Sequence, residues 1–129
     1  MNSPLNEHIE YAASQIVDIA IKLHKILGPG LLESVYENCF CHELEKRGIP
    51  YTRQQNIEFY FEDLLVPQSL RMDIIVHDAI IIELKAQEIK HPIWEAQLLS
   101  YLILTRKRLG FLNNFHVPLM KNGIKRLIL

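Results

Sequence analysis

Asp73 and, ten residues later, the triplet Glu83-Leu84-Lys85 are the residues of this chain best suited to chemistry. They lie in two apolar runs, SLRMDIIV and AIIIELKA. Side chains on a strand alternate faces, so Glu83 and Lys85 point one way and Ile80, Ile82 and Leu84 the other. Charged groups inside a run of isoleucines are costly to desolvate unless they are paired or hold a ligand. Two carboxylates brought to one point suit Mg²⁺ or Mn²⁺, which take oxygen ligands and keep room for water and phosphate. The Leu84 backbone carbonyl, between Glu83 and Lys85, could add a third oxygen. A lysine alongside can orient a metal-activated water or offset charge developing on a phosphate. The competing reading is a Glu83–Lys85 salt bridge on a solvated face, which is common and worth little. The apolar stretch up to Glu83 weighs against it, because it describes a central strand buried on both faces.

Three other residues could join this group. Glu33, in GPGLLESVYEN, falls in the first turn of a helix. Acids are favoured there by the helix dipole alone, but Glu33 could also serve as a third metal carboxylate, with Tyr36 beside it. Gln97 and Tyr101, in WEAQLLSYL, are four apart and share a helix face. They could position a nucleotide, a phosphate or a metal-bound water. The plainer alternative is a core tyrosine and a boundary glutamine.

The elements that must position these residues are legible as patterns. Ile9, Ala12, Ala13, Ile16, Val17, Ala20, Leu23 and Leu27 fall at helical spacing, and Gly28-Pro29-Gly30 turns the chain. A second helical pattern carries Leu32, Val35, Tyr36, Cys39, Phe40 and Leu44, and Gly48 with Pro50 stops it. Thr52–Phe61 reads as a strand and Asp63–Ser69 as a turn plus an extended piece. Leu70–Val76 and Ala79–Ala86 are strands joined by a tight turn at His77-Asp78. Pro92 suits a helix start, and Trp94, Leu98, Tyr101, Leu102 and Thr105 share one face of that helix. Leu109–Phe115 and Ile124–Leu129 are the last strands. The order ααβββαββ predicts an α/β layer arrangement with a mixed sheet flanked by helices.

Bulk properties set the frame. The 129 residues suit one domain spanning 1–129, and about half are apolar. No apolar run approaches the roughly 20 residues that span a bilayer, and the N-terminal residues lack the pattern of a secretory signal. A cytoplasmic protein is expected. Cys39 and Cys41 are two apart on a helix, so they should not pair with each other. Net charge is −1, but residues 1–64 carry −5 and residues 65–129 carry +4. A basic half bearing the acid pair is compatible with a phosphate backbone. The six histidines show no zinc spacing, and no glycine-rich phosphate loop or Ser/His/Asp arrangement is present.

The blocks GLLESVYE, GIPYTRQ, ELKA, AQLLSYL, LGFLNNF and GIKRLIL, in this order, resemble those of the GxxExxY family, with Gly30, Glu33 and Tyr36 on its signature. The resemblance covers nearly the whole chain from about His24 onward. That family is placed in the PD-(D/E)XK nuclease superfamily, so the resemblance implies a restriction-endonuclease-like core. It also implies Asp73 as the motif acid, Glu83 and Lys85 as the (D/E)XK pair, and Glu33 as the acid from the preceding helix. Gln97 and Tyr101 resemble the QxxxY element of RecB-like exonucleases. Met72 departs from the proline of the superfamily name. The expectation is a Mg²⁺- or Mn²⁺-dependent nuclease using Asp73, Glu83, Lys85 and Glu33, with metal on Asp73, Glu83 and Glu33 and substrate positioned by Gln97 and Tyr101. DNA is the expected partner more than RNA, with a homodimer or a partner subunit supplying further grip. The alternative is a nuclease-fold binding or assembly module without turnover.

Overall fold

The computed structural model describes residues 3–129 and all their side chains but those of residues 68 and 69. Two helices come first, α1 (Glu7–Leu27) and α2 (Glu33–Lys46). Asn6 caps α1, its side chain accepting the Ile9 N–H at 2.8 Å. Gly28 ends α1 at φ 75°, a conformation that costs glycine nothing, and its N–H donates to the His24 carbonyl. Then follow β1 (Tyr51–Phe61), β2 (Leu64–Val76), β3 (Ile80–Lys85), α3 (Ile93–Thr105), β4 (Leu109–Asn114), a 3-10 turn and β5 (Ile124–Ile128). The expected element order is the observed one.

The five strands form one sheet in the order β1-β2-β3-β4-β5. Every neighbouring pair is antiparallel except β3 and β4, which run parallel because α3 carries the chain back across the sheet between them. His77 and Asp78 both take φ 54° at the centre of the turn that the Ala79 N–H closes on the Val76 carbonyl, and the ladder resumes at Val76↔Ile80. One segment differs from expectation. The chain from Leu64 is already part of β2, continuous through Val76, rather than a turn and a separate extended piece. Phe61 pairs with Leu64 and Ile57 with Leu70, and the register shifts between Ile57 and Phe59. Pro67, which has no N–H to give a ladder, falls in this irregular stretch, so the strand survives it.

Strand alternation divides the core in two. Ile74, Val76, Ile80, Ile82, Leu84, Leu109 and Phe111 face α1 and α2. Ile75, Ile81 and Leu112 face α3 through Trp94, Leu98 and Leu102. Gly110 lets α3 approach closely, since a Cβ there would stand 3.0 Å from the Leu98 side chain. β3 is therefore the central strand, covered on both faces. By the same alternation Glu83 and Lys85 point toward the α3 side. β2 pairs with β3 only over Ile74–Val76, so the two strands part just where Asp73 and Glu83 stand.

Ile82 is fully buried in β3. Ile82→Ala should destabilise the protein by about 2–5 kcal/mol, whereas Tyr60→Ser on the exposed hairpin tip should change stability by under about 0.5 kcal/mol. Urea unfolding of the two variants checks this.

Candidate functional site

The parting of β2 and β3 leaves backbone groups without ladder partners, and two acidic side chains take their place. The Asp73 N–H donates to Glu83 Oε2 at 2.9 Å, and the Leu84 N–H donates to Asp73 Oδ2 at 2.8 Å. Each carboxylate is thus fixed by the backbone of the strands it joins. Glu83 is 6 % exposed. Burial, reinforced by the charge of Asp73, pushes its carboxyl up to about 8. Burial also raises Asp73, against the pull of the Leu84 N–H. Among the described residues Asp73 has two donors, from Leu84 and from Gln54 Nε2 at 3.4 Å, whereas Glu83 has the Asp73 N–H alone. With fewer donors, Glu83 is the member of the pair whose charged form is less well supported.

Lys85 continues the same face. Its Nζ lies 5.6 Å from the centre of the Trp94 ring, within cation–π range, so α3 holds the ammonium beside the acids. Glu33 opens α2 at the rim of this group. Its carboxyl is raised by partial burial and then by Asp73, with Lys85 pulling it down. Tyr36 explains why α2 begins where it does. Its hydroxyl donates to the Gly28 carbonyl at 2.5 Å and accepts the Leu31 N–H at 3.1 Å, and its ring stacks on Phe115 at 4.2 Å. The Phe115 N–H in turn donates to the Lys85 carbonyl at 2.9 Å. Tyr36 thus clamps the turn that presents Glu33 to the end of β3. Nothing in the structure explains Gly30, where a Cβ would meet no atom within 4 Å.

Tyr101, half-buried on α3, has its hydroxyl raised by burial and then by the charges of Glu83 and Asp73, while a contact with the Arg71 backbone lowers it. Gln97, one turn earlier, is exposed and makes no hydrogen bond or ion pair with these residues. The structure thus gathers Asp73, Glu83, Lys85, Glu33 and Tyr101, and leaves Gln97 at the surface. Among the described residues no three His, Cys, Asp or Glu side chains come close enough together to hold one metal ion. Asp73 and Glu83 still match a divalent cation in chemistry: two adjoining carboxylates, Glu83 buried and Asp73 partly so, both with their charged forms disfavoured until a cation joins them.

Sequence reasoning missed a second polar layer beneath Asp73. Glu37 is buried on α2, one turn after Glu33. Its Oε2 accepts Arg53 at 2.7 and 3.1 Å, and its Oε1 accepts Gln54 Nε2 at 2.5 Å. Gln54 Oε1 accepts Arg71 Nε at 2.7 Å. One signal in the chain pointed here: Glu37 shares a helix face with Glu33, inside an otherwise apolar stripe.

The fold and the acid pair have a known context. Residues 10–127 match the family model of the PD-(D/E)XK nuclease superfamily, and the chain belongs to that superfamily. Its mixed sheet between helices is the restriction-endonuclease-like core. The superfamily is one of nucleases and generally uses divalent metals, so membership implies interaction with nucleic acid at that general level. No curated protein and no solved structure matches the chain. No described helix is long and apolar enough to cross a membrane.

The raised carboxyl of Glu83 sets a pH dependence. Below about 4.5 the folded and unfolded chains both hold the proton; between there and about 8 the folded chain alone holds it. Metal-free protein should therefore lose stability as pH rises through that window, by up to about 1.4 kcal/mol per unit, and the slope should vanish above it. Glu83→Gln should flatten the slope. Urea unfolding in EDTA across this range checks it, and an unchanged slope in the variant would place the responsible group elsewhere.

Proposed function

We propose that this protein is a Mg²⁺- or Mn²⁺-dependent phosphodiesterase that hydrolyses DNA, with RNA the lesser substrate. The observation that carries the reading is the interlocked pair Asp73 and Glu83 beside Lys85, at the end of a buried central strand. A structural salt bridge pairs an acid with a base, and does not call for two carboxylates set against each other, one of them buried. Within the superfamily we place the chain in the GxxExxY group, on Gly30, Glu33 and Tyr36 and on the clamp that Tyr36 makes.

Asp73 and Glu83 would hold the ion, and Glu33 would reach it from the rim through water or a side-chain movement. When bound, the ion supplies Lewis acidity toward water and the scissile phosphate. Glu83 would serve as a ligand in its ionised form, which the ion's charge would favour. Lys85, held by Trp94, orients the attacking water and stabilises charge on the phosphate oxygens. Tyr101 bonds a phosphate oxygen, and Gln97, exposed on the same helix face, meets the nucleotide. The reaction forms a bond from water oxygen to phosphorus and breaks the bond to one ester oxygen, which leaves with a proton. The reading takes residues 1–129 as one catalytic domain working in the cytoplasm, its hold on DNA completed by a second copy or a partner subunit.

The second reading is a nuclease-fold binding or assembly module without turnover. The dispersed third acid favours it, since no three acidic groups gather on one point among the described residues. Cleavage of labelled DNA with Mg²⁺ or Mn²⁺ separates the two. Asp73→Ala and Lys85→Ala should each lower the rate at least about a hundredfold, the scale on which losing one charge-stabilising group acts. Equal cleavage by wild type and both variants would mark the activity as a contaminant. Cutting by none, with no thermal stabilisation by either ion, would favour the silent module.

A further inference from the structure

Arg71 lies two residues before Asp73 on β2 and is exposed. Most other cations near the site already have partners. Arg53 is bound to Glu37 and to Asn38, and Lys85 sits over Trp94. Arg71 makes no ion pair among the described residues, and its Nε donates to Gln54 Oε1 at 2.7 Å. The other end of the same amide, Gln54 Nε2, donates to Glu37 at 2.5 Å and approaches Asp73 Oδ1 at 3.4 Å. One amide group therefore separates the guanidinium from the acid pair.

Gln54 takes an unusual backbone to do this. Its φ is 51°, the left-handed region, in the middle of a strand. A side chain other than glycine, Asn or Asp rarely adopts it, at a cost of about 1–3 kcal/mol, unless the surroundings require it. The neighbouring pairs Arg53↔Ile74 and Gln55↔Met72 put Gln54 opposite Asp73. The twist aims the amide at Glu37, Asp73 and Arg71 together. A planar, always charged fork that stands beside two metal-type acids without pairing with them is suited to a phosphate oxygen.

We propose that Arg71 is a phosphate-binding residue of this site, held beside Asp73 by the Gln54 amide, and that it grips the nucleic-acid backbone next to the scissile bond. This rests on the phosphodiesterase reading. Tyr101, in contact with the Arg71 backbone, closes the same corner from α3.

The test measures binding of a labelled DNA duplex in Mn²⁺ across a range of salt, with Lys85→Ala as the common background so that nothing is cut. Arg71→Ala should weaken binding about tenfold and make the log–log salt slope shallower by about one. Arg71→Lys should keep the slope while recovering only part of the affinity, because a point charge replaces the fork. Gln54→Ala should weaken binding in the same direction, with the charge intact. Mn²⁺ affinity without DNA, read by calorimetry, should not change in Arg71→Ala. Unaltered DNA affinity and slope in Arg71→Ala would overturn the proposal while leaving the phosphodiesterase reading intact. So would a parallel loss of Mn²⁺ binding, which would show that Arg71 only props Asp73. A wild-type chain that takes up Mn²⁺ but binds neither DNA nor RNA would remove the phosphodiesterase reading itself, and this proposal with it.

Discussion

The structure turns on how two strands separate. β2 and β3 pair through Ile74–Val76 and Ile80–Ile82 and then part, and a sheet that opens in the interior leaves amide groups that must find partners. Asp73 and Glu83 meet that need by accepting the Leu84 and Asp73 N–H groups. The same bonds that complete the backbone thus bring two carboxylates together where neither is easily ionised. Moving either acid would uncover a buried amide, a cost of about 1–3 kcal/mol, so the fold and the acid pair are mutually dependent.

Around this pair the layers take distinct parts. α1 and α2 cover one face of the sheet, and the Tyr36 hydroxyl fixes the turn between them so that α2 presents Glu33 and Glu37. α3 covers the other face and holds Lys85 through Trp94. β1 contributes Gln54, whose left-handed backbone reaches under Asp73. Residues from α2, β1, β2, β3 and α3 thus meet at one end of the central strand. On the proposed reading this is the end at which a metal ion and a phosphate are gathered.

The chain disclosed the local part of this. Alternation in AIIIELKA is enough to separate Glu83 and Lys85 from the isoleucines, and Gly28-Pro29-Gly30 is enough to place Glu33 at a helix start. The element order followed from the same patterns. What stayed hidden depends on contacts between distant segments. Gln54 carries no sequence mark of a positive φ, since glutamine has no preference for it, and Glu37 becomes a partner of Gln54 and Arg53 only once α2 lies on β1. Asp63–Ser69 read as a turn plus an extended piece, yet the strand runs on through Pro67, which falls where the hairpin register is already irregular. Gln97 shares a helix face with Tyr101, but helix periodicity does not say how far that face lies from the acids.

The central claim is that Asp73 and Glu83 form the seat of a divalent cation. A crystal structure grown with Mn²⁺ and recorded at the manganese absorption edge tests it most directly. The expected result is one anomalous peak bound by both carboxylates, at about 2.0–2.2 Å from each nearest oxygen, close to the distances that such hard cations take. A map without a peak there, in crystals whose Asp73 and Glu83 still hold their backbone amides, would contradict it.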